Sequence, residues 1–225
     1  GGAAGDRLGG GRDVGYGDDA LGDAGLDGIC GDEKNGDDGP TPDQEWVCDV
    51  WFVDRSAGGN ADGLSWEDAF TTIQAALLAA ADGDRLFVAA GHYAPAAAND
   101  TVAVIEDVEV YGGFAGGEMT VESRAGLTDE TVLSGDFLGD DMLDPDNVSD
   151  NAAPVVSLRG VARLDGFTVA GGNGSWWGAG IWADGCDGCV ISGVLVRNTT
   201  PTGPGGPVPK DAPQTQVLIT DAKVL

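Results

Sequence analysis

Positive charge is what this chain lacks most. Against 38 Asp and Glu it carries 11 Lys and Arg and one His, a formal net charge of −27 over 225 residues with a pI near 4.1. Nucleic acid is thereby excluded as a partner, because phosphate binding needs Lys and Arg to displace counterions. Long apolar runs are missing too. Nothing approaches the ~20 residues that a membrane-spanning helix needs, and the longest candidate is the alanine-dominated stretch 75–81. The chain opens on Gly1-Gly2-Ala3-Ala4-Gly5 without Met, which is expected of a mature form or of a piece of a longer protein. What abounds instead is glycine, 39 residues, beside 10 prolines and a hydrophobic share of 42%. Such a chain is too apolar to be wholly disordered and too glycine-rich to be mostly helical.

Cysteine is scarce, but it falls in two local pairs, Cys30 with Cys48 and Cys186 with Cys189. An even count in pairs fits disulfides in an oxidising compartment. Free thiols and a zinc site are the rival readings, and only Cys186-Asp-Gly-Cys189 has tight zinc-knuckle spacing.

Charge and glycine are unevenly spread. Residues 1–50 hold 13 acidic and 3 basic side chains with 14 glycines, and their few apolar residues (Leu8, Val14, Leu21, Leu26, Ile29) stand alone. Such a stretch cannot bury enough apolar surface to offset backbone ordering. A disordered acidic arm is therefore expected over 1–46. Its segment 23–32 bears a faint likeness to calcium-loop turns, yet it lacks the alternation and the distal Glu of an EF-hand. A folded domain is expected over 47–200, followed by a Pro/Gly linker and short tail over 201–225, where Gln216-Val-Leu-Ile-Thr220 reads as one more strand.

The folded part starts with a strand-forming run, Val50-Trp51-Phe52-Val53, and a loop of turn residues. A helix is predicted over 65–81, with Ser65 as its cap, Glu67 and Asp68 in its first turn, and Trp66, Phe70, Ile73, Leu77 and Ala80 on one stripe. Four strand-forming runs then begin at residues 84, 107, 130 and 153, a constant step of 23, each followed within a few residues by Gly. Periods of roughly 20 to 50 residues indicate solenoids or arrays. The Leu-x-x-Leu-x-Leu ladder of a leucine-rich horseshoe is absent. Three short runs between Pro154 and Gly172, separated by Gly160 and by Asp165-Gly166, instead suit the coil of a parallel β-helix.

The segments Asp54 to Asn60, Gly63-Leu-Ser-Trp66, 69–77 and 83–93 resemble the N-terminal cap and first coil of pectin-lyase-like right-handed parallel β-helices. Tyr111-Gly-Gly-Phe114, Thr131-Val-Leu-Ser-Gly-Asp136, Leu164-Asp-Gly-Phe-Thr168 and Gly178-Ala-Gly-Ile-Trp182 are similar to the bacterial secreted and surface branch of that superfamily, which includes the chlamydial polymorphic outer-membrane proteins. The resemblance covers about residues 50–200. It implies an all-β fold, a right-handed parallel β-helix of about five coils of about 23 residues closed by an N-terminal amphipathic capping helix. It also implies an extracellular or cell-surface place in a bacterium.

Polysaccharide lyases of the superfamily hold Ca²⁺ on carboxylates and use Arg or Lys as base. The resemblance thus draws attention to Asp136, Asp140, Asp141, Asp144 and Asp146 as calcium ligands and to Arg159 and Arg163 as bases. An oxygen-rich loop suits a hard cation, although such loops are also plain solvated turns. No catalytic motif of the family maps onto these positions residue by residue. His92 has no nucleophile motif around it and reads as a surface turn residue rather than a base. Trp176, Trp177 and Trp182 are candidates for stacking on sugar rings, with packing inside a corner as the alternative. Asn147, Asn173 and Asn198 begin glycosylation triplets. The expectation is a secreted or surface module, structural, adhesive or carbohydrate-binding and without catalysis. Its partner would be a polysaccharide or another surface protein. The alternative is a fragment of a polysaccharide lyase or glycoside hydrolase acting on acidic polysaccharide.

Overall fold

The computed structural model describes residues 49–124, 130–141, 147–174, 179–186, 188–197, 199–201 and 217–223. The acidic arm expected over 1–46 lies outside them. The first strand, β1 (Val50–Val53), pairs in parallel with β2 (Arg85–Ala89), and β2 pairs with β5 (Glu109–Phe114). The next neighbours are β8 (Arg163–Asp165) and β12 (Val190–Arg197). On the far side of β12 follow β9 (Thr168–Ala170), β6 (Thr131–Ser134) and β3 (Gly91–Tyr93). A second sheet has the order β11 (Ile181–Cys186), β7 (Val156–Gly160), β4 (Ala103–Glu106). Two residues each of β10 (Asn173–Gly174) and β13 (Thr200–Pro201) pair separately. Among the described residues every pairing is parallel except that of β14 (Val217–Lys223), which runs antiparallel along β12.

The expected right-handed solenoid of five coils is corrected by this topology. The strands form one nine-stranded sheet curled into a half-barrel and a separate second sheet, not stacked coils. The cause lies in β12. Its first half, Val190 to Ser192, takes β8, and its second half, Leu195 to Arg197, takes β9, so a single eight-residue strand fuses two ladders into one sheet. Gly193 lies between the halves at φ +58°, in the left-handed region that glycine enters without a Cβ penalty. The 23-residue step is likewise not the step of pairing. Arg85 lies opposite Glu109, Glu109 opposite Arg163, and Arg163 opposite Val190, whereas the run at 130 joins β3 and the run at 153 joins β4.

The predicted helix is also shorter. The α-helix α1 is Ile73–Ala79, and its N-cap is Thr72, whose Oγ1 accepts from Ala75 N at 3.3 Å. The reason lies in the preceding residues. Phe70 N donates to Phe52 O and Asp54 N donates to Phe70 O, both at 2.9 Å, so Phe70 is held as an extended bridge beside Val53. Backbone groups spent on β1 cannot also form a helical ladder. Ser65 still accepts from Asp68 N, but it caps only a local turn.

Two apolar clusters hold the fold. Strand alternation sends Leu86, Val88 and Val110 into the larger one, with Ile105, Leu158, Leu164, Val169 and Val194. The intervening Phe87 and Tyr111 join Phe52 and Phe114 in the second, against Trp66. In that cluster Phe87 stacks on Phe114 at 4.5 Å between ring centroids, and Trp66 closes over Phe52 at 4.8 Å while its Nε1 donates to Glu118 O. Each such buried side chain contributes about 1.5–3 kcal/mol.

Candidate functional site

A cleft of about 450 Å³ opens where the turn after β1, the start of α1, the end of β3 and the loop after β6 meet. That volume lies in the ordinary range for small-ligand sites. Arg55 enters from the turn and donates from Nη1 to the carbonyl oxygen of His92. Thr71, Thr72 and Gln74 line the helix side, and Gln74 Nε2 donates to Val102 O at 2.6 Å. Ser134 and Asp136 line the opposite side, with Phe137 and Leu138 exposed beside them to 37% and 65%. Tyr93 is buried and donates its hydroxyl to Ala89 O at 3.0 Å. Burial pushes its pKa up to about 12, so it stays a donor and not a base.

The loop that forms this wall gathers carboxylates. Asp136 Oδ1 accepts from Gly139 N at 2.7 Å and from Asp140 N at 3.2 Å, and its Oδ2 accepts from Asp141 N at 3.2 Å. These bonds fold residues 136–141 into a tight turn. Asp136, Asp140 and Asp150 then each present an oxygen within 4.8 Å of the others. Asp141 stands beside them, and its pKa is raised by burial and then by the charges of Asp136, Asp150 and Asp140, a rise that a hydrogen bond from Asn151 partly offsets.

Of the calcium ligands expected from sequence, the structure thus brings together Asp136, Asp140 and Asp141, whereas Asp144 and Asp146 lie outside the described residues. Asp150 and Asn151 join the group, and sequence reasoning missed them. The signal was present in the run Asn147-Val-Ser-Asp150-Asn151, which reads as a glycosylation triplet. In the structure Asn147 Nδ2 is instead bonded to Asp140 Oδ2 at 2.7 Å, and Asn173 Nδ2 to Val148 O at 2.7 Å.

The other expected residues are dispersed, His92 excepted. Trp182 is half-buried on β11, its backbone opposite Ser157, and does not line the cleft. Trp176 and Trp177 lie outside the described residues, as do Cys30 and Cys48. Cys186 and Cys189 form a disulfide that closes the turn between β11 and β12. His92 is exposed on β3 and does line the cleft, where its carbonyl oxygen accepts from Arg55. Arg159 is exposed on β7, while Arg163 sits 3.3 Å from the buried carboxylate of Glu109 and over the ring of Tyr111 at 5.9 Å. A guanidinium so held is no free base.

Among the described residues no helix is long and apolar enough to cross a membrane. Comparison of the chain with protein-family models, with curated proteins and with solved structures returned no match, so what the site does is read from its own geometry.

Proposed function

We propose that this chain is a secreted or cell-surface binding module that takes a saccharide in the cleft between α1 and the loop after β6 and performs no chemistry on it. The observation that carries the reading is the pairing, in one cleft, of exposed apolar faces on Phe137 and Leu138 with the polar groups of Arg55, Thr71, Thr72, Gln74 and Ser134. A sugar ring offers the same two surfaces, an apolar C–H face and a rim of hydroxyls. The disulfide Cys186–Cys189 supports an oxidising location. The tie between Arg163 and Glu109 supports binding over turnover.

Screening the intact chain on an array of neutral and acidic glycans tests the reading. Selective binding that drops at least tenfold in Phe137→Ala/Leu138→Ala is expected. Binding indifferent to that double variant, or an empty array, would reject the saccharide site. Release of unsaturated uronate from polygalacturonate or alginate would reject the claim that no chemistry takes place.

A further inference from the structure

Four oxygens in the loop region 136–151 are buried and lack any hydrogen-bond partner: Oδ1 of Asp140, Asp141, Asp150 and Asn151. Two of their owners are almost fully enclosed, with Asp150 exposed to 7% and Asn151 to 1%. Buried carboxylate oxygens without donors are costly, and several close together repel one another.

The pattern of satisfied atoms is as telling as the orphans. In every case the other polar atom of the same side chain is engaged. Asp140 Oδ2 accepts from Asn147 Nδ2 at 2.7 Å, Asp150 Oδ2 accepts from Leu138 N at 2.9 Å, and Asp141 Oδ2 accepts from Asn151 Nδ2 at 2.8 Å. Each group is thus pinned by one atom and presents the other. Outer contacts that orient ligands in this way are the usual support of metal sites.

We propose that Asp136, Asp140 and Asp150 hold one calcium ion, with the orphaned oxygens of Asp141 and Asn151 beside it. The oxygens of Asp136, Asp140 and Asp150 lie within 4.8 Å of one another, which is the largest separation that two ligands about 2.4 Å from a common ion can have. The donors are all oxygen, which selects a hard cation over zinc or copper. Three converging carboxylates form a protein site of the kind calcium fills, whereas magnesium keeps most of its waters and is held by one or two carboxylates. The ion would tie residues 136–141 to residues 147–151. Because Asp150 also holds Leu138 N, that tie fixes the wall of the cleft, whatever the cleft binds.

The full chain, stripped with EDTA and dialysed, would be titrated calorimetrically with CaCl₂ and separately with MgCl₂, and its thermal midpoint followed. One stoichiometric calcium site is expected, tighter than any magnesium site, with the midpoint raised by about 5–10 °C at a hundredfold excess over Kd. Asp150→Asn and Asp140→Asn should each weaken calcium at least tenfold. Asp150→Asn should also raise the midpoint of the metal-free protein, because an amide relieves the crowding that calcium otherwise relieves. Glu67→Gln, a change at an exposed acidic residue between β1 and α1, should leave all of this unaltered. No stoichiometric calcium site, magnesium bound more tightly than calcium, or undiminished affinity in Asp150→Asn would each overturn the assignment. The last result would place the binding on diffuse acidic surface.

Discussion

Replacing Glu109 by alanine should cost this fold about 3 kcal/mol, and the reason is the company the carboxylate keeps. Glu109 is exposed to only 5% and lies in register between Arg85 on β2 and Arg163 on β8. Arg85 Nε donates to its Oε2 at 2.7 Å, but the Arg85 side chain is 43% exposed, so that half behaves as a surface pair worth about 0–1 kcal/mol. Arg163 is different. Its side chain is 17% exposed, and its Nε lies 3.3 Å from Oε1, an ion pair without hydrogen-bond alignment. Removing the carboxylate leaves that guanidinium enclosed and uncompensated, a situation that costs roughly 3–5 kcal/mol. The ring of Tyr111 beneath Arg163 returns part of this, at about 0.5–1 kcal/mol. With a urea slope of about 2 kcal/mol/M, Glu109→Ala should unfold about 1.5 M earlier than the parent. Glu109→Met/Arg163→Met removes both enclosed charges and should recover most of the loss. A single variant within about 1 kcal/mol of the parent, or a double variant less stable than the single, would show that the buried charge is not what the ladder holds in place.

Other outcomes follow from local geometry. A Cβ at Gly135 would run into the carbonyl oxygen of Gly171 and lie 2.8 Å from Val155 Cγ2. Gly135→Ala should therefore lower stability by roughly 1–3 kcal/mol in urea, and a neutral result would mean that these backbones are not so close. Burial works against the charge of Glu118, but N–H groups of Ala115, Gly117, Glu118 itself and Gly116 outweigh it and hold the carboxyl below its ordinary value of 4.5. A depressed pKa contributes stability that is present above the ordinary value and lost as the pH falls through the folded value. The melting-temperature gap between the parent and Glu118→Gln should accordingly be widest at neutral pH and shrink toward pH 3, and a gap that grows on acidification would contradict the sign. The Cys186–Cys189 link closes a loop with a sequence separation of 3, so Cys186→Ala/Cys189→Ala should cost about 2 kcal/mol by loop entropy. Calorimetry showing an unchanged melting temperature would remove that contribution.

How much of this was legible beforehand can be judged strand by strand. Val50-Trp-Phe-Val53 and the runs that begin at 84, 107, 130 and 153 are visible because β-branched and aromatic residues recur between turn formers, and each overlaps a strand whose start is displaced by up to three residues. Their partners were not visible. The helix was placed correctly over Ile73–Ala79 by its stripe, yet overextended through Trp66 and Phe70, because periodicity cannot report that Phe70 N is claimed by Phe52 O. In the acidic loop, Asp136, Asp140 and Asp141 stood out by density. Asp150 and Asn151 did not, since only the return of the chain toward Leu138 brings them into the group.

By itself the sequence determined the net charge of −27, the abundance of short strands, and the acidic character of the loop after residue 134. These are properties of composition and of neighbours along the chain. Which strands pair, that β12 fuses two ladders into a curled sheet in place of stacked coils, and which carboxylate oxygens lose their solvent were decided only by tertiary structure. The physical reason is that strand pairing and burial depend on loop paths and on contacts between residues tens of positions apart, and a period of 23 along the chain carries no record of either.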